Sequence, residues 1–302
     1  MTVESSSIVE PGRTDADAAA SNLARSTNTR VNQNSLKNRR VRATRRWRSV
    51  LVYSLVAMVG VVAFAWPFWL PGHPGVSQNQ AHQGDAWIWA TLLGGLVVAA
   101  LVVETSQRRM NGATIATLGV LASMNGLLRF IQLPGGNAIF FLTILAGAAL
   151  GARFGMLLGL TAMAASAVIT AGIGPWLPYQ MLALSAMGTG AGWLGTSLRH
   201  RTIRVQLAGL AVFAWGWQFL YGAIMNLWFW PLIRNGGPLD YAPGLGFTAT
   251  LHRYWSFYVA SSFAWDAGGA AVNCALILTL GAPILRSLRR IAHRLDPSTV
   301  WL

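Results

Sequence analysis

Few side chains in this 302-residue sequence are spaced to carry out covalent chemistry. The chain contains no P-loop, no Gly-x-Ser-x-Gly elbow and no His-Glu-x-x-His motif, the short patterns of nucleotide, serine-hydrolase and zinc sites. Its single cysteine, Cys274, cannot form an intrachain disulfide. The five histidines include no pair with metal-ligand spacing. The sequence therefore predicts a protein that is not an enzyme and that itself holds no metal or cofactor.

Polar side chains inside long apolar stretches are the first candidates for ligand binding. Such groups are costly in lipid, so each one is a site hypothesis. Asp266 and Asn273 are seven residues apart, which is close to two helical turns and places both on one helix face. Arg129 lies about one turn beyond Asn125 in an earlier stretch. Two interpretations stay open, because Arg129 and Asp266 either pair to fix the helices or contact a ligand.

Aromatic side chains next to amides form a second group of candidates. Trp217 and Tyr221 share one face of a predicted helix, with Gln218 adjacent. This combination would suit a flat, partly polar ligand. The alternative is that both aromatic side chains belong to the core or to an interface.

The stretch 172–180 contains two prolines and two glycines. These residues predict a rigid, non-helical link at the outer mouth of a helical bundle. Trp176, Tyr179 and Gln180 then lie at that mouth and are candidates to line or cover a site. A simple interfacial turn, with Trp176 as its anchor, is the alternative.

The composition indicates that lipid surrounds the elements that must position these residues. The chain is 54% hydrophobic and 11% charged, whereas soluble domains are about 25% charged. A membrane span needs about twenty apolar residues. We therefore predict an all-α, polytopic integral membrane protein with eight transmembrane helices. They are 50–70, 86–103, 113–133, 138–152, 154–173, 178–198, 205–233 and 255–285, of which the last two are long enough to tilt or partly re-enter.

The positions of the basic residues predict the orientation. With eight spans, twenty of the 23 Lys and Arg residues fall on one side, and only Arg234 and Arg253 fall in loops on the other. Cytoplasmic loops carry the excess of Lys and Arg, so we expect both termini in the cytoplasm and the chain in the cell (inner or plasma) membrane. The net charge of +14 is then an orientation signal and an attraction to anionic lipid, not a nucleic-acid footprint.

Four segments follow from these patterns. Residues 1–48 are polar and basic and are expected to be a disordered cytoplasmic tail. Residues 49–111 form a two-helix transmembrane hairpin, and residues 112–295 form a six-helix membrane domain, which the resemblance given below implies is the substrate-binding domain, with the hairpin as an accessory. Residues 296–302 are a short cytoplasmic tail.

Small residues recur at helical spacing in the six-helix domain. Gly147, Gly151, Gly155 and Gly159 are four residues apart, and Gly188 and Gly192 repeat that spacing. Such faces let helix backbones approach closely in membranes. They serve either packing within this bundle or docking of another membrane subunit.

Several stretches together resemble a known family. They are the run from Phe140 through Ala152-Arg-Phe-Gly155 to Gly174-Pro-Trp-Leu-Pro-Tyr-Gln-Met181, then residues 221–228 and 265–290. This pattern resembles the substrate-specific (S) component of energy-coupling factor (ECF) transporters, and most of all the cobalamin-type S components. The similarity covers roughly residues 112–295 and matches the six-helix S-component bundle with both termini cytoplasmic.

The resemblance implies a division of labour among subunits. Such a chain captures a vitamin-like micronutrient from outside and passes it to a coupling transmembrane subunit, while two ATPase subunits use ATP. Cobalamin or another corrinoid is the first expectation, and thiamine-type or queuosine-type compounds remain open. The family docks through small residues on its first core helix. The candidates here are Gly119, Ala122, Ser123 and Gly126, although a clean Ala-x-x-x-Ala pattern is missing and two extra spans precede the six.

Two other functions compete with this interpretation. A stand-alone secondary carrier is one, although carriers usually contain more buried ionisable groups than this sequence offers. A non-transporting membrane scaffold is the other, and it would bind no small ligand.

Overall fold

The computed structural model describes residues 112–295 except 131, 134, 135, 175 and 235, together with isolated positions between 51 and 99. The predicted tails 1–48 and 296–302 lie outside the described residues, as does most of the predicted hairpin 49–111. The chain divides into two compact units, Met1–Leu51 and Val52–Leu302. All contacts below belong to the second unit.

Within residues 112–295 the chain forms seven α-helices. A two-residue strand β1 (Gln132–Leu133) pairs antiparallel with β2 (Gly136–Asn137), and a 3-10 helix covers Trp230–Leu232. The α-helices are α1 (Gly112–Leu128), α2 (Ile139–Leu150), α3 (Ala152–Ile169), α4 (Leu177–Leu198), α5 (Ile203–Leu227), α6 (Phe247–Ser261) and α7 (Phe263–Arg294). The predicted all-helical class is therefore confirmed for this part of the chain.

Three of these stretches are long and apolar enough to cross a membrane. They are Ala152–Ile169, Ile203–Leu232 and Phe263–Arg294, while Gly112–Leu128 and Ile139–Leu150 are apolar but shorter. These helices indicate a membrane protein, as the composition predicted. The count of eight spans and the cytoplasmic position of both termini stay predictions.

The last predicted span, 255–285, is divided in the structure. Helix α6 ends at Ser261 and α7 begins at Phe263, with φ −137° and ψ −14° at Ser262 between them. The Ser262 hydroxyl accepts a hydrogen bond of 2.6 Å from Asn226, and serine favours helix ends over helix interiors. Asp266 consequently lies in the first turn of α7, and not deep inside one long helix as the sequence suggested.

Helix α2 is the centre of the bundle. All twelve of its residues are buried, and it packs against α1, α3, α4, α5 and α7. At 1.5 Å per residue it is about 18 Å long, which is shorter than the hydrocarbon core of a bilayer. Because every residue of α2 is buried, protein covers both of its ends. A helix can end within the membrane only where protein or a water-filled cavity covers its end. Gly151, at φ +94°, turns the chain from α2 into α3 in a conformation that suits glycine.

The predicted glycine ladder brings α2, α3 and α4 into backbone contact. A Cβ atom on either Gly155 or Gly188 would overlap the carbonyl oxygen of the other residue. A Cβ on Gly147 would lie 2.5 Å from the Gly188 carbonyl oxygen, and one on Gly159 would lie 2.5 Å from that of Leu184. These glycines therefore serve packing within the bundle.

Two residues of the first predicted span also contact this bundle. A Cβ on Gly60 would lie 2.9 Å from the Leu182 side chain in α4. The rings of Phe68 and Tyr241 meet edge to face, with centroids 5.6 Å apart. Gly60 and Phe68 therefore lie against α4 and the loop that contains Tyr241.

We predict that Gly188→Ala lowers the stability of the protein, because the new methyl group overlaps the α3 backbone. The expected loss is about 1–3 kcal/mol, the usual cost of overpacking, measured as a lower melting temperature in detergent. Gly216→Ala in α5 is the matched control, since no atom lies within 4 Å of a Cβ there. Equal melting temperatures for the two variants would contradict the packing role of Gly188.

Candidate functional site

Four polar side chains from α5, α6 and α7 form a buried group, which we call the Asp266 network. The Tyr258 hydroxyl donates to the Asp266 carboxyl group at 2.9 Å, and the Gln218 amide donates to it at 3.4 Å. Asn273 donates to the Gln218 carbonyl oxygen at 3.4 Å and to the Gly269 backbone oxygen at 2.9 Å. Gln218, Asp266 and Asn273 are all buried. Asp266 and Asn273 thus share one helix face, as their spacing predicted.

Helix spacing explains how these side chains meet. Gln218 and Gly222 are one turn apart on α5, so both face α7. Gly222 leaves room for the Asp266 carboxyl group, because a Cβ at position 222 would overlap the carboxyl oxygens. Tyr254 lies one turn before Tyr258 on α6, and its hydroxyl donates to the Ala223 carbonyl oxygen. The two tyrosines hold α6 across α5.

A second polar group surrounds the first turn of α2. Asn125 is fully buried and donates to the Thr143 hydroxyl at 2.5 Å, and Thr143 in turn donates to the Ile139 carbonyl oxygen. Arg129, near the end of α1, donates to the Ser166 hydroxyl at 3.1 Å and lies 3.5 Å from the Met163 sulfur. This group joins α1, α2 and α3.

Arg129 and Asp266 do not hydrogen-bond to each other in the described part of the chain. Arg129 is held by α3, and Asp266 is held by Gln218 and Tyr258. The Tyr221 ring of α5 meets Phe140 of α2 edge to face at 4.7 Å. Direct pairing of Arg129 with Asp266, which was one of the two interpretations, is therefore not found in the structure.

Aromatic side chains from the 172–180 link and from the end of α5 pack together. Tyr179 is fully buried and stacks on Trp228, with centroids 5.7 Å apart and planes at 25°. Trp176 packs against this pair, while its ring covers the backbone at Gly174. The outer aromatic cluster, as we call Trp176, Tyr179 and Trp228, closes one end of the bundle between α4 and α5.

Four buried polar atoms find no hydrogen-bond partner among the described residues. They are Asn125 Oδ1, Gln180 Oε1, Trp217 Nε1 and Asn273 Oδ1. A buried polar atom without a partner costs about 1–3 kcal/mol. All four residues were candidates from sequence. Trp217 instead stacks its ring on Phe213 at 5.5 Å, so its ring is packed while its N–H remains available.

These features occupy the same end of the bundle. The helices alternate in direction, so the end of α1, the start of α2 and the start of α4 lie together with the second half of α5 and the start of α7. Asn125, Arg129, Tyr179, Tyr221 and Asp266 belong to those segments. The tertiary structure thus gathers the predicted site residues at one end, which is the outer end in the predicted orientation.

The predicted docking residues on α1 fall on two faces. Ala122 and Gly126 are buried, and a Cβ on Gly126 would lie 3.3 Å from the Ser166 backbone nitrogen in α3. Gly119 and Ser123 are exposed, with nothing within 4 Å of a Cβ on Gly119. Only Gly119 and Ser123 are therefore accessible to a second subunit.

Sequence reasoning missed Tyr258 and Thr143, which contact Asp266 and Asn125. In the sequence, Tyr254 and Tyr258 are one helical turn apart, and Tyr258 lies eight residues before Asp266. This spacing was the available signal for Tyr258. The boundary of the last span hid it, because Tyr258 and Asp266 appeared to belong to one helix. Thr143 gave no signal apart from being a hydroxyl in an apolar helix.

The described residues contain no group of three or more His, Cys, Asp or Glu side chains that could hold a metal ion. No family model matches this chain, and no curated protein or solved structure matches it either. The proposed function therefore depends on the geometry of the chain's own residues.

We predict that Gly222→Ala destabilises the protein only while Asp266 is present. The added methyl group collides with the carboxyl group, so the expected loss in the natural background is about 1–3 kcal/mol. In an Asp266→Ala background the same change should cost less than about 0.5 kcal/mol, giving a coupling energy typical of contacting residues. Melting temperatures of the four proteins of this double-mutant cycle test it, and simple additivity would contradict the contact.

Proposed function

We propose that this chain is the membrane-embedded substrate-binding subunit of an ECF-type importer. In this proposal it captures a vitamin-like molecule from outside the cell and passes it to a coupling transmembrane subunit. The observation that carries the proposal is that four buried polar atoms inside the bundle have no hydrogen-bond partner among the described residues, in Asn125, Gln180, Trp217 and Asn273. A bound ligand would supply the missing hydrogen bonds, and a purely structural core would gain nothing from leaving them unmade.

The start of α2 supports a polar ligand at this end. Helix α2 begins at Ile139, and its first turn is buried beside Asn125 and Tyr221. The positive end of a helix dipole favours acidic or acceptor groups. Discontinuous helices in transporters place their N-terminal ends against substrate in this way. Arg129 would add a positive charge to the same side of the site.

The Asp266 network would supply hydrogen-bond acceptors to the same ligand. Asn273 Oδ1 has no partner among the described residues, and the Asp266 carboxyl group retains acceptor capacity beyond its two hydrogen bonds. Because Arg129 and Asp266 do not pair with each other, a ligand that carries both donor and acceptor groups can hydrogen-bond to both side chains. A flat ring would contact Trp217 and Tyr221.

A corrinoid is our first candidate for the substrate. The S-component resemblance points to it, and the half-buried rings of Trp176 and Trp217 would offer apolar surface to a large planar molecule. Thiamine-type and queuosine-type compounds remain alternatives. Trp176, Tyr179 and Gln180 would cover the entrance in each case.

The energy for transport would come from partner subunits. The sequence has no P-loop, so ATP would be used by two separate ATPase subunits. The coupling subunit would contact the exposed Gly119 and Ser123 on α1, where small residues permit close helix approach.

We predict that the protein purified in detergent from cells grown in rich medium carries a small molecule that native mass spectrometry can release and identify. Asp266→Asn and Trp176→Ala should each reduce its occupancy about tenfold, the effect of losing roughly 1.4 kcal/mol of binding. Trp193→Ala is the matched tryptophan control, because Trp193 is 67% exposed on α4. That variant should keep full occupancy.

Two results would overturn the proposal in different ways. No released molecule, followed by no thermal shift with a panel of vitamins, would favour the scaffold function. Substrate uptake by vesicles that contain this chain and no ATPase subunit would favour the stand-alone carrier.

A further inference from the structure

An apolar groove lies between α1 and the second half of α7. It encloses about 450 Å³, within the range of small-molecule pockets. Leu142 of α2 contributes to its wall, and the rest comes mainly from Ala116, Val120 and Met124 of α1 and from Ile284 and Ile291 of α7. Val120 is 59% exposed and Met124 is 51% exposed, so the groove opens sideways along the bundle.

Two arginines of α7, Arg290 and Arg294, lie close to the Ser287 side of the groove. Ser287 lines the groove, and the Arg290 guanidinium donates to its hydroxyl at 3.3 Å. Arg294 lies one turn beyond Arg290 and seven residues after Ser287, so Arg294 and Ser287 share a face of α7. Both arginines are exposed. The groove is thus apolar along its length and positively charged at the end of α7.

We propose that this groove binds one anionic phospholipid. An acyl chain would lie along the apolar wall, and the phosphate would be held by Arg290 and Arg294. Apolar grooves that end in basic residues bind acidic headgroups on the cytoplasmic side of membrane proteins, and Arg is well suited to phosphate because its guanidinium offers paired donors.

The charge distribution favours a lipid over a protein helix as the occupant. A helix lying along α1 and α7 would need apolar contact over the whole groove and would leave Arg290 and Arg294 without an anionic partner. A phospholipid matches both parts of the groove, since its apolar chain and its anionic headgroup are adjacent in one molecule. The lipid site and the proposed substrate site use different residues, so they can be tested separately.

Native mass spectrometry of the full chain tests the proposal. The probes are phosphatidylglycerol and phosphatidylcholine with identical acyl chains, added in equal amounts to the detergent-purified protein. We expect one bound phosphatidylglycerol, with a preference of roughly tenfold over phosphatidylcholine, because the arginines attract an anionic headgroup. The double variant Arg290→Gln and Arg294→Gln should lose this preference.

A matched control separates the site from general charge attraction. Arg201 and Arg204 are also exposed arginines, in the turn before α5 and in its first turn. The double variant Arg201→Gln and Arg204→Gln should therefore keep the tenfold preference. If it loses the preference equally, the attraction is non-specific and the proposal is wrong.

Blocking the groove tests where the acyl chain lies. Ala116→Phe should reduce retention of both lipids about tenfold, and Ser287→Phe on the opposite wall serves the same purpose if the first variant melts early. Unchanged lipid retention in a folded variant of either kind would overturn the proposal. So would the loss of a co-purified protein from these variants while lipid retention stays unchanged, because a protein would then be the occupant.

Discussion

The backbone contact between Gly155 in α3 and Gly188 in α4 is the constraint on which the rest of the bundle depends. In a membrane, helices gain little from hydrophobic burial against one another, so association relies on close packing. Gly147 adds α2 to the same contact, with no side chain separating the three backbones. This contact fixes α2 at the centre. Once α2 is fixed, its first turn faces α1 and α5, and the polar groups near that turn have defined positions.

The polar interior keeps Arg129 and Asp266 apart. Arg129 is held by neutral groups of α3, and Asp266 is held by Gln218 and Tyr258. A direct pair between them would have used both groups. The separate arrangement leaves both able to interact with a further molecule. Gly222 makes this arrangement sterically feasible, because any side chain there would displace the Asp266 carboxyl group.

The candidate site and the groove differ in chemistry. The candidate site combines buried amides, aromatic rings and the N-terminal end of α2, whereas the groove combines an apolar wall with exposed arginines. The first arrangement is suited to a polar ligand enclosed by protein, and the second to a lipid at the membrane surface. The exposed Gly119 and Ser123 on α1 lie outside both sites, so a partner could contact this helix without entering either.

The sequence by itself determined the helical, apolar character of the chain and most of the polar residues that now lie together. Those properties depend on composition and on helical spacing, as for Asp266 and Asn273, and so they can be read locally. The partners of these residues could not be read in the same way. Tyr258 reaches Asp266 only because the chain breaks at Ser262, and Asn125 bonds to Thr143 in another helix. Two further properties depend on how helices distant in sequence pack. One is whether Arg129 pairs with Asp266, and the other is which side of the glycine ladder faces a neighbouring helix. Only the tertiary structure decided these questions, because contacts between helices are set by the shape of the whole bundle and not by spacing along one helix.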